Sequence, residues 1–420
     1  MNSNIQPSLP APLRKAVAAM LLALSLPAAA AQELPAGTLA STRDSSAAST
    51  AVISHLGFDV RGAYVGSSTS ALRDAGYYGD DEKVLHSAMS AHIKYSFSYS
   101  PSTRTGRLYP GAYQGIGLSM TSFFDNSRIG TPVGVYLFQG APVVRLAPRL
   151  TFDYEWNFGA SFGWKKYHED RPPVNLIVGS PVNAYINLGF MLRYRLAPQW
   201  SVAAGIDMTH WSNGNTSWPN PGVNSIGARA GLIYSFDSRG SSHTLADMRD
   251  TEPVRPHFSY DLVVYGAARK RMIHINDTPQ LLPGRFGVAG LNFAPMYNFN
   301  RFFRAGISAD VQYDESSDLG KYWVDGTFGD DIKFRRPPFF HQVSLGLSAR
   351  GELVMPIFSI NAGMGYNILG NHDTRNFYQV LALKINVWRS VFLHVGYQLN
   401  SFRNPNNLMI GLGYRFHDRR

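Results

Sequence analysis

Strict two-residue alternation, with charged side chains on one of the two faces, is what most limits this chain. Phe152, Tyr154, Trp156 and Phe158 alternate with Asp153, Glu155, Asn157 and Gly159. Val182, Ala184, Ile186, Leu188, Phe190 and Leu192 alternate with Asn183, Tyr185, Asn187, Gly189, Met191 and Arg193. Leu408, Ile410, Leu412, Tyr414 and Phe416 repeat the pattern in the last segment. Successive side chains on a strand point to opposite faces, so each segment has one greasy face and one polar or glycine-rich face. A soluble sandwich also alternates. Three features favour a transmembrane barrel instead. The segments have about the length a tilted strand needs to cross a bilayer. The polar face carries Asp, Glu, Arg and Asn, which suits a wet lumen better than a packed core. Aromatic residues gather at segment ends, as an interfacial girdle does.

Composition agrees. Hydrophobic residues make up 45%, aromatics 13% and charged residues 16%, which does not describe a disordered chain. The absence of cysteine excludes disulfide frameworks, thiolate metal sites and cysteine nucleophiles. The net charge of +10 comes without a dense Lys/Arg run, so no nucleic-acid-binding arm is expected. Arg14 and Lys15, the apolar run Ala16–Leu26 and the small residues Ala28–Ala31 read as a signal peptide over residues 1–31. Residues 32–56 read as a flexible Ser/Ala/Thr-rich lead-in. The expected product is an all-β transmembrane antiparallel up-and-down β-barrel over 57–420, in the outer membrane, with about sixteen strands.

Short links at 196–198, 298–301, 354–356 and 388–390 alternate with long ones at 165–180, 211–223, 269–285 and 314–340. Short turns belong in the periplasm and long loops outside. Two connections, 100–112 and 237–256, are long yet fall on the periplasmic side. One wide cylinder is expected rather than two small barrels, since only 237–256 resembles a linker. The strands of 257–416 are read as additional wall.

One hairpin carries the chemistry. Val202, Ile206 and Met208 share parity with His210 and Ser212, and on the returning strand Ile226, Ala228, Ala230 and Leu232 share parity with Asn224. His210, Ser212 and Asn224 should therefore stand on the lipid side of two adjacent strands, at the extracellular end. Polar groups facing lipid are costly and invite a functional explanation. A histidine can act as general base on a nearby serine hydroxyl, with a third polar group orienting the ring. A site on the outer wall would act on a lipid rather than on a lumenal solute. His-x-Ser spacing alone is a weak signal, and the same residues could merely contact headgroups.

The stretch Thr209–His210–Trp211–Ser212–Asn213, followed by Pro219–Asn220–Pro221–Gly222–Val223–Asn224, resembles the lipid A 3-O-deacylase (PagL-type acyloxyacyl hydrolase) family, and the run Val178–Gly189 is similar to its longer members. The resemblance covers roughly residues 57–236. It implies a serine esterase acting on lipid A, or lipopolysaccharide, in the outer leaflet, with no cofactor and no metal. Ser212 would be the nucleophile, His210 the general base, and Asn213 part of the oxyanion hole. Asn224 stands where the best-known enzymes have Glu, a departure. Asn can hold an imidazole tautomer but cannot stabilise imidazolium by charge. Asp207 has lumen parity; Glu169 and Asp170 in the preceding loop are candidates for a compensating carboxylate. The segment 397–407 faintly echoes this hairpin, with Asn400 near the histidine position.

Two rival readings stay open: a porin-like channel, and an inactive lipid-binding relative. His168, His274 and His372 fall in outer loops and His394 faces the lumen. Asp314, Glu315 and Asp318, or Asp330 and Asp331, are candidate calcium ligands. Lys165, Lys166, Arg269, Lys270 and Arg271 lie at outer strand ends, where they could meet lipid A phosphates.

Overall fold

The computed structural model describes residues 52–66, 85–167, 177–236, 254–275, 278–327, 331–370, 376–402 and 404–418. The signal-peptide segment, Glu169, Asp170, His168, His372 and Asp330 lie outside them. Among the described residues no helix is long and apolar enough to cross a membrane.

The chain is antiparallel β throughout. The first barrel is built from β1 (Val52–Gly66), β2 (Ser87–Tyr99), β3 (Tyr113–Ser122), β4 (Gly130–Ala147), β5 (Leu150–Trp164), β6 (Val182–Arg195), β7 (Trp200–Ser212) and β8 (Val223–Ser235). Each strand pairs with the next, and β8 closes on β1 with His55 opposite Ser235 and Gly66 opposite Asn224. β1 begins inside the segment expected to be a flexible lead-in. The second barrel uses β9 (His257–Arg269), β12 (Phe286–Asn298), β13 (Phe303–Asp314), β14 (Val343–Val354), β15 (Phe358–Leu369), β16 (Phe377–Trp388), β17 (Val391–Asn400) and β18 (Asn404–Phe416). Here β18 closes on β9, with Tyr260 opposite Phe416 and Gly266 opposite Ile410. A small separate hairpin, β10 (Met272–Ile275) and β11 (Thr278–Leu281), stands in an outer loop.

The all-β class, the up-and-down topology and the sixteen wall strands are as expected, but the single wide cylinder is not. The strands close as two cylinders of eight. The physical reason lies inside them. An eight-stranded barrel has an interior just wide enough for side chains to fill, and each interior here is filled by ion pairs that cross it. In the first barrel Arg229 on β8 reaches Asp59 on β1 (2.5 Å) and Glu155 on β5 (2.9 Å), and Lys94 on β2 reaches the same two carboxylates at 2.7 and 3.1 Å. In the second, Lys384 on β16 lies 2.7 Å from both Asp261 on β9 and Glu352 on β14. Arg415 on β18 reaches the same pair, and Arg304 on β13 joins them. Two carboxylates facing three cations at the centre need walls a side chain apart. Charges buried this deeply persist only when so paired.

Glycine permits the close fit at one wall position. A Cβ on Gly117 would stand 2.4 Å or less from the ring of Tyr136, which folds across it from β4. The connection 100–112, awkward for the turn rule, is a folded excursion. It carries a short helix, α1 (Arg104–Leu108), capped by Thr103, whose hydroxyl accepts the Gly106 N–H at 3.0 Å, and it buries Leu108. The other awkward connection, 237–256, is the link between the barrels; residues 237–253 lie outside the described residues.

Candidate active site

β7 and β8 position the site by simple alternation. On β7, Asp207, Thr209 and Trp211 point inward and are buried, while Ile206 and Met208 point outward and are exposed. His210 and Ser212 follow the outward set, half-buried at the outer end of the strand. β8 brings Asn224 directly opposite His210. The three side chains touch. His210 Nε2 lies 2.9 Å from Ser212 Oγ, and His210 Nδ1 lies 2.6 Å from Asn224 Oδ1.

That arrangement orients the imidazole ring. The Asn224 carbonyl oxygen can only accept, so Nδ1 carries the ring hydrogen and donates it. Nε2 is then the free base, aimed at the Ser212 hydroxyl. A serine hydroxyl within hydrogen-bond reach of an oriented imidazole is an arrangement capable of nucleophilic chemistry.

Behind this face lies a buried aromatic cluster. Trp211, between His210 and Ser212 in sequence, packs inside the barrel against Phe123 (ring centroids 5.5 Å), Tyr185 (5.9 Å) and Trp164 (6.3 Å). Asn187 on β6 donates to the Thr209 hydroxyl at 2.8 Å. The backbone carrying His210 and Ser212 is thus clamped from within by side chains that take no part in the outer face.

Asn213 is buried and engaged with its own loop. Its N–H donates to Asn220 Oδ1 (2.9 Å), its Nδ2 donates to Pro219 O (3.3 Å), and its Oδ1 accepts the Ser217 N–H (3.4 Å). Asp207 points inward and pairs with Arg61 at 2.9 Å, so it cannot stand in for the carboxylate missing at position 224. Sequence reasoning overlooked Gly222. Its φ is +76°, and a Cβ there would stand 3.0 Å from His210 Cε1 and 3.3 Å from the Trp211 carbonyl oxygen. The backbone at Gly222 forms the back of the imidazole slot. The Pro219–Asn–Pro–Gly222 turn cluster was the available signal.

The remaining candidates scatter. Asp314 pairs with Arg269 (2.5 Å), Glu315 accepts the Gly287 N–H (2.8 Å), and Asp318 faces His341 (3.0 Å) and Lys321 (2.9 Å), so these acids form no common cation site. Among the described residues no group of histidines and carboxylates could hold a metal. Arg269, expected at the outer rim for phosphate, instead points into the lumen and is buried. Lys165 donates to Ser127 O at 2.8 Å. His394 is buried inside the second barrel, as its parity implied. Asn400, the echo of the histidine position, lies opposite the buried Tyr378, in the inward register with Gln398.

Closed barrels with a continuous apolar exterior are the architecture of outer-membrane proteins. Two family models match the chain, one for each barrel. Residues 89–232 match lipid A 3-O-deacylase (PagL), and residues 258–418 match the C-terminal domain of acyloxyacyl hydrolase. Together they take in well over half of the chain, which belongs to the PagL acyloxyacyl hydrolase family and is a protein of the outer membrane. The second match extends the family to strands that the sequence resemblance had left unassigned. No curated protein matches. Among solved structures, the crystal structure of the outer membrane enzyme PagL is 15% identical, over 42% of this chain and 97% of that one, with a TM-score of 0.27. The siderophore receptor PirA from Pseudomonas aeruginosa is 8% identical, over 86% of this chain and 80% of that one, with a TM-score of 0.23.

Proposed function

We propose that this chain hydrolyses the 3-O-linked acyl ester of lipid A on the outer wall of its first barrel. The observation that carries this reading is the chain of contacts Ser212–His210–Asn224, at 2.9 and 2.6 Å, on the outward face of β7 and β8. His210 Nε2 takes the Ser212 proton as Oγ attacks the ester carbonyl. The tetrahedral intermediate collapses, and His210 returns the proton to the departing sugar oxygen. Water, deprotonated by the same nitrogen, then releases the fatty acid. Asn213 is the side chain we assign to the oxyanion. The bonds to Pro219 and Ser217 orient its amide, and Nδ2 keeps a second hydrogen to donate. No cofactor enters this scheme.

Asn224 supports the tautomer but not the charge. The His210 imidazolium formed in the transition state gains a dipole where a carboxylate would give a full charge. This is the specific observation that favours the second reading, a lipid-binding relative of low or no activity. A pore finds no such support, because ion pairs span both lumens.

Mass spectrometry of lipid A from cells producing the wild-type chain should show loss of one hydroxyacyl group. With Ser212→Ala the full acylation pattern should return, a fall of about a thousandfold or more in rate. Identical, fully acylated lipid A from both strains would leave the inactive-relative reading standing.

A further inference from the structure

The second barrel carries a built surface that the deacylase reading does not use. Its long connections, like the β10–β11 hairpin, mark the outer end. The one joining β13 to β14 folds on itself there. Trp323 pairs with Phe334, the Val324 N–H donates to Lys333 O (2.9 Å), and the Arg335 N–H donates to Tyr322 O (2.8 Å). Ile332 is buried with Leu282 and Leu319, and Phe334 packs against that cluster. Alternation then dictates the rest. Lys333 and Arg335 face outward and are exposed, and Arg336 after them is exposed too. The chain next turns through Pro337 and Pro338 to two aromatics. Phe339 stacks on Tyr313 of β13 (5.8 Å) and is 61% exposed; Phe340 is 85% exposed.

Three exposed cations within four residues beside a small apolar core, followed in the chain by two uncovered phenyl rings at a strand end, match one chemistry. They suit a surface whose headgroups are phosphorylated and whose interior is hydrocarbon. Among the described residues of this connection the exposed carboxylates are Glu315, Asp325 and Asp331 and the exposed cations are Lys321, Lys333, Arg335 and Arg336, and three of those four cations fall within the four residues 333–336. We infer that the segment Lys333–Phe340 is a docking site for the phosphorylated headgroup of lipid A in the outer leaflet. Lys333, Arg335 and Arg336 meet phosphate oxygens, and Phe340 enters the acyl layer beneath. The inference rests on the outer-membrane placement of the chain and does not depend on Ser212 being a nucleophile.

The test uses the full chain with Ser212→Ala, so that ligand is not consumed whichever way the enzymatic reading turns out. Detergent-solubilised protein is titrated by native mass spectrometry with bis-phosphorylated lipid A, and with the same lipid A after phosphate removal. Phosphate removal should weaken binding about tenfold, and so should Lys333→Ala/Arg335→Ala/Arg336→Ala in combination; raised salt should erase the difference. Phe340→Ser, which keeps all three charges, should weaken it several-fold. Should the triple variant lose the heat-modifiable mobility of a closed barrel, Arg335→Gln and Arg336→Gln singly carry the same expectation at about threefold each. Equal affinity of the folded variants and the parent for phosphorylated lipid A overturns the inference. So does equal affinity of the parent for both lipids.

Discussion

Each barrel has the same kind of charged centre, and the two differ toward their outer ends. In each, an aspartate on the first strand (Asp59, Asp261) and a glutamate across the lumen (Glu155, Glu352) face a lysine and arginines. A histidine precedes that aspartate by the same interval in both, His55 and His257. Toward the outer end they part. The first barrel is filled by Phe123, Trp164, Tyr185, Trp211 and Val223. The second has a small hollow lined by Asn292, Asp310, Gln312 and Gln398 on one hand and by Tyr265, Tyr378, Val380 and Met409 on the other. The outer walls differ in the opposite sense. β7 and β8 present His210, Ser212 and Asn224, whereas β17 and β18 present Tyr397, Leu399, Leu408 and Ile410 on their outward registers. A lipid-facing polar cluster keeps its geometry when the layer behind it is closely packed, and a wall that positions no such cluster can carry a mixed polar and apolar interior.

The charged centres should fail equally. Glu155→Ala leaves Arg229 and Lys94 sharing Asp59 alone, and Glu352→Ala leaves Arg304, Lys384 and Arg415 sharing Asp261 alone; each should cost about 3–5 kcal/mol in urea unfolding from detergent. A large difference between the two would mean the centres are not equivalent.

The outer layers should respond unequally. Trp211→Ala removes one of the two tryptophans behind the site and should cost about 3–5 kcal/mol, with deacylation falling beyond what the folded fraction explains. Asn292→Leu in the second barrel replaces a buried amide, whose oxygen has no hydrogen-bond partner, by an apolar group. It should change stability by less than about 1 kcal/mol in either direction. If both variants behave alike, the contrast between the aromatic layer of the first barrel and the mixed layer of the second has no energetic content.

The outer wall can be sharpened at one atom. Asn224→Ala removes the acceptor for Nδ1–H and should lower the deacylation rate about 10–100-fold, while Asn224→Glu should raise it above wild type by adding charge to the imidazolium. An unchanged rate for Asn224→Ala would remove the residue from the mechanism.

Much of this was legible in the residues. Period-two alternation gave the strands, their number and the outward parity of His210, Ser212 and Asn224, because side-chain direction is local. Closure was not legible. Whether β8 pairs with β1 or with β9 is decided by residues far apart in the chain, and by whether Arg229 finds Glu155 across a narrow lumen. No window of sequence contains both. The rim arginine at 269 was misplaced because the strand's inward register runs on to its last residue. Gly222 was missed because a close approach to an imidazole depends on the loop's path, which parity does not reach.

The smallest effect comes from that loop. At Gly222 a methyl group meets two obstacles at once: a φ of +76° that L residues rarely adopt, and a ring edge 3.0 Å away. Backbone and imidazole must each give way by a few tenths of an ångström. His210 is held to Ser212 and Asn224 by single hydrogen bonds, so a small tilt lengthens both without unfolding the barrel. Gly222→Ala should therefore leave unfolding within about 1 kcal/mol of wild type and lower deacylation by roughly tenfold. An outward residue of the second barrel that positions no imidazole, the exposed Ile307 on β13, supplies the control. Ile307→Ala should leave deacylation unchanged, and a tenfold loss there would show that the measured rate follows general damage to the chain rather than the slot that Gly222 forms.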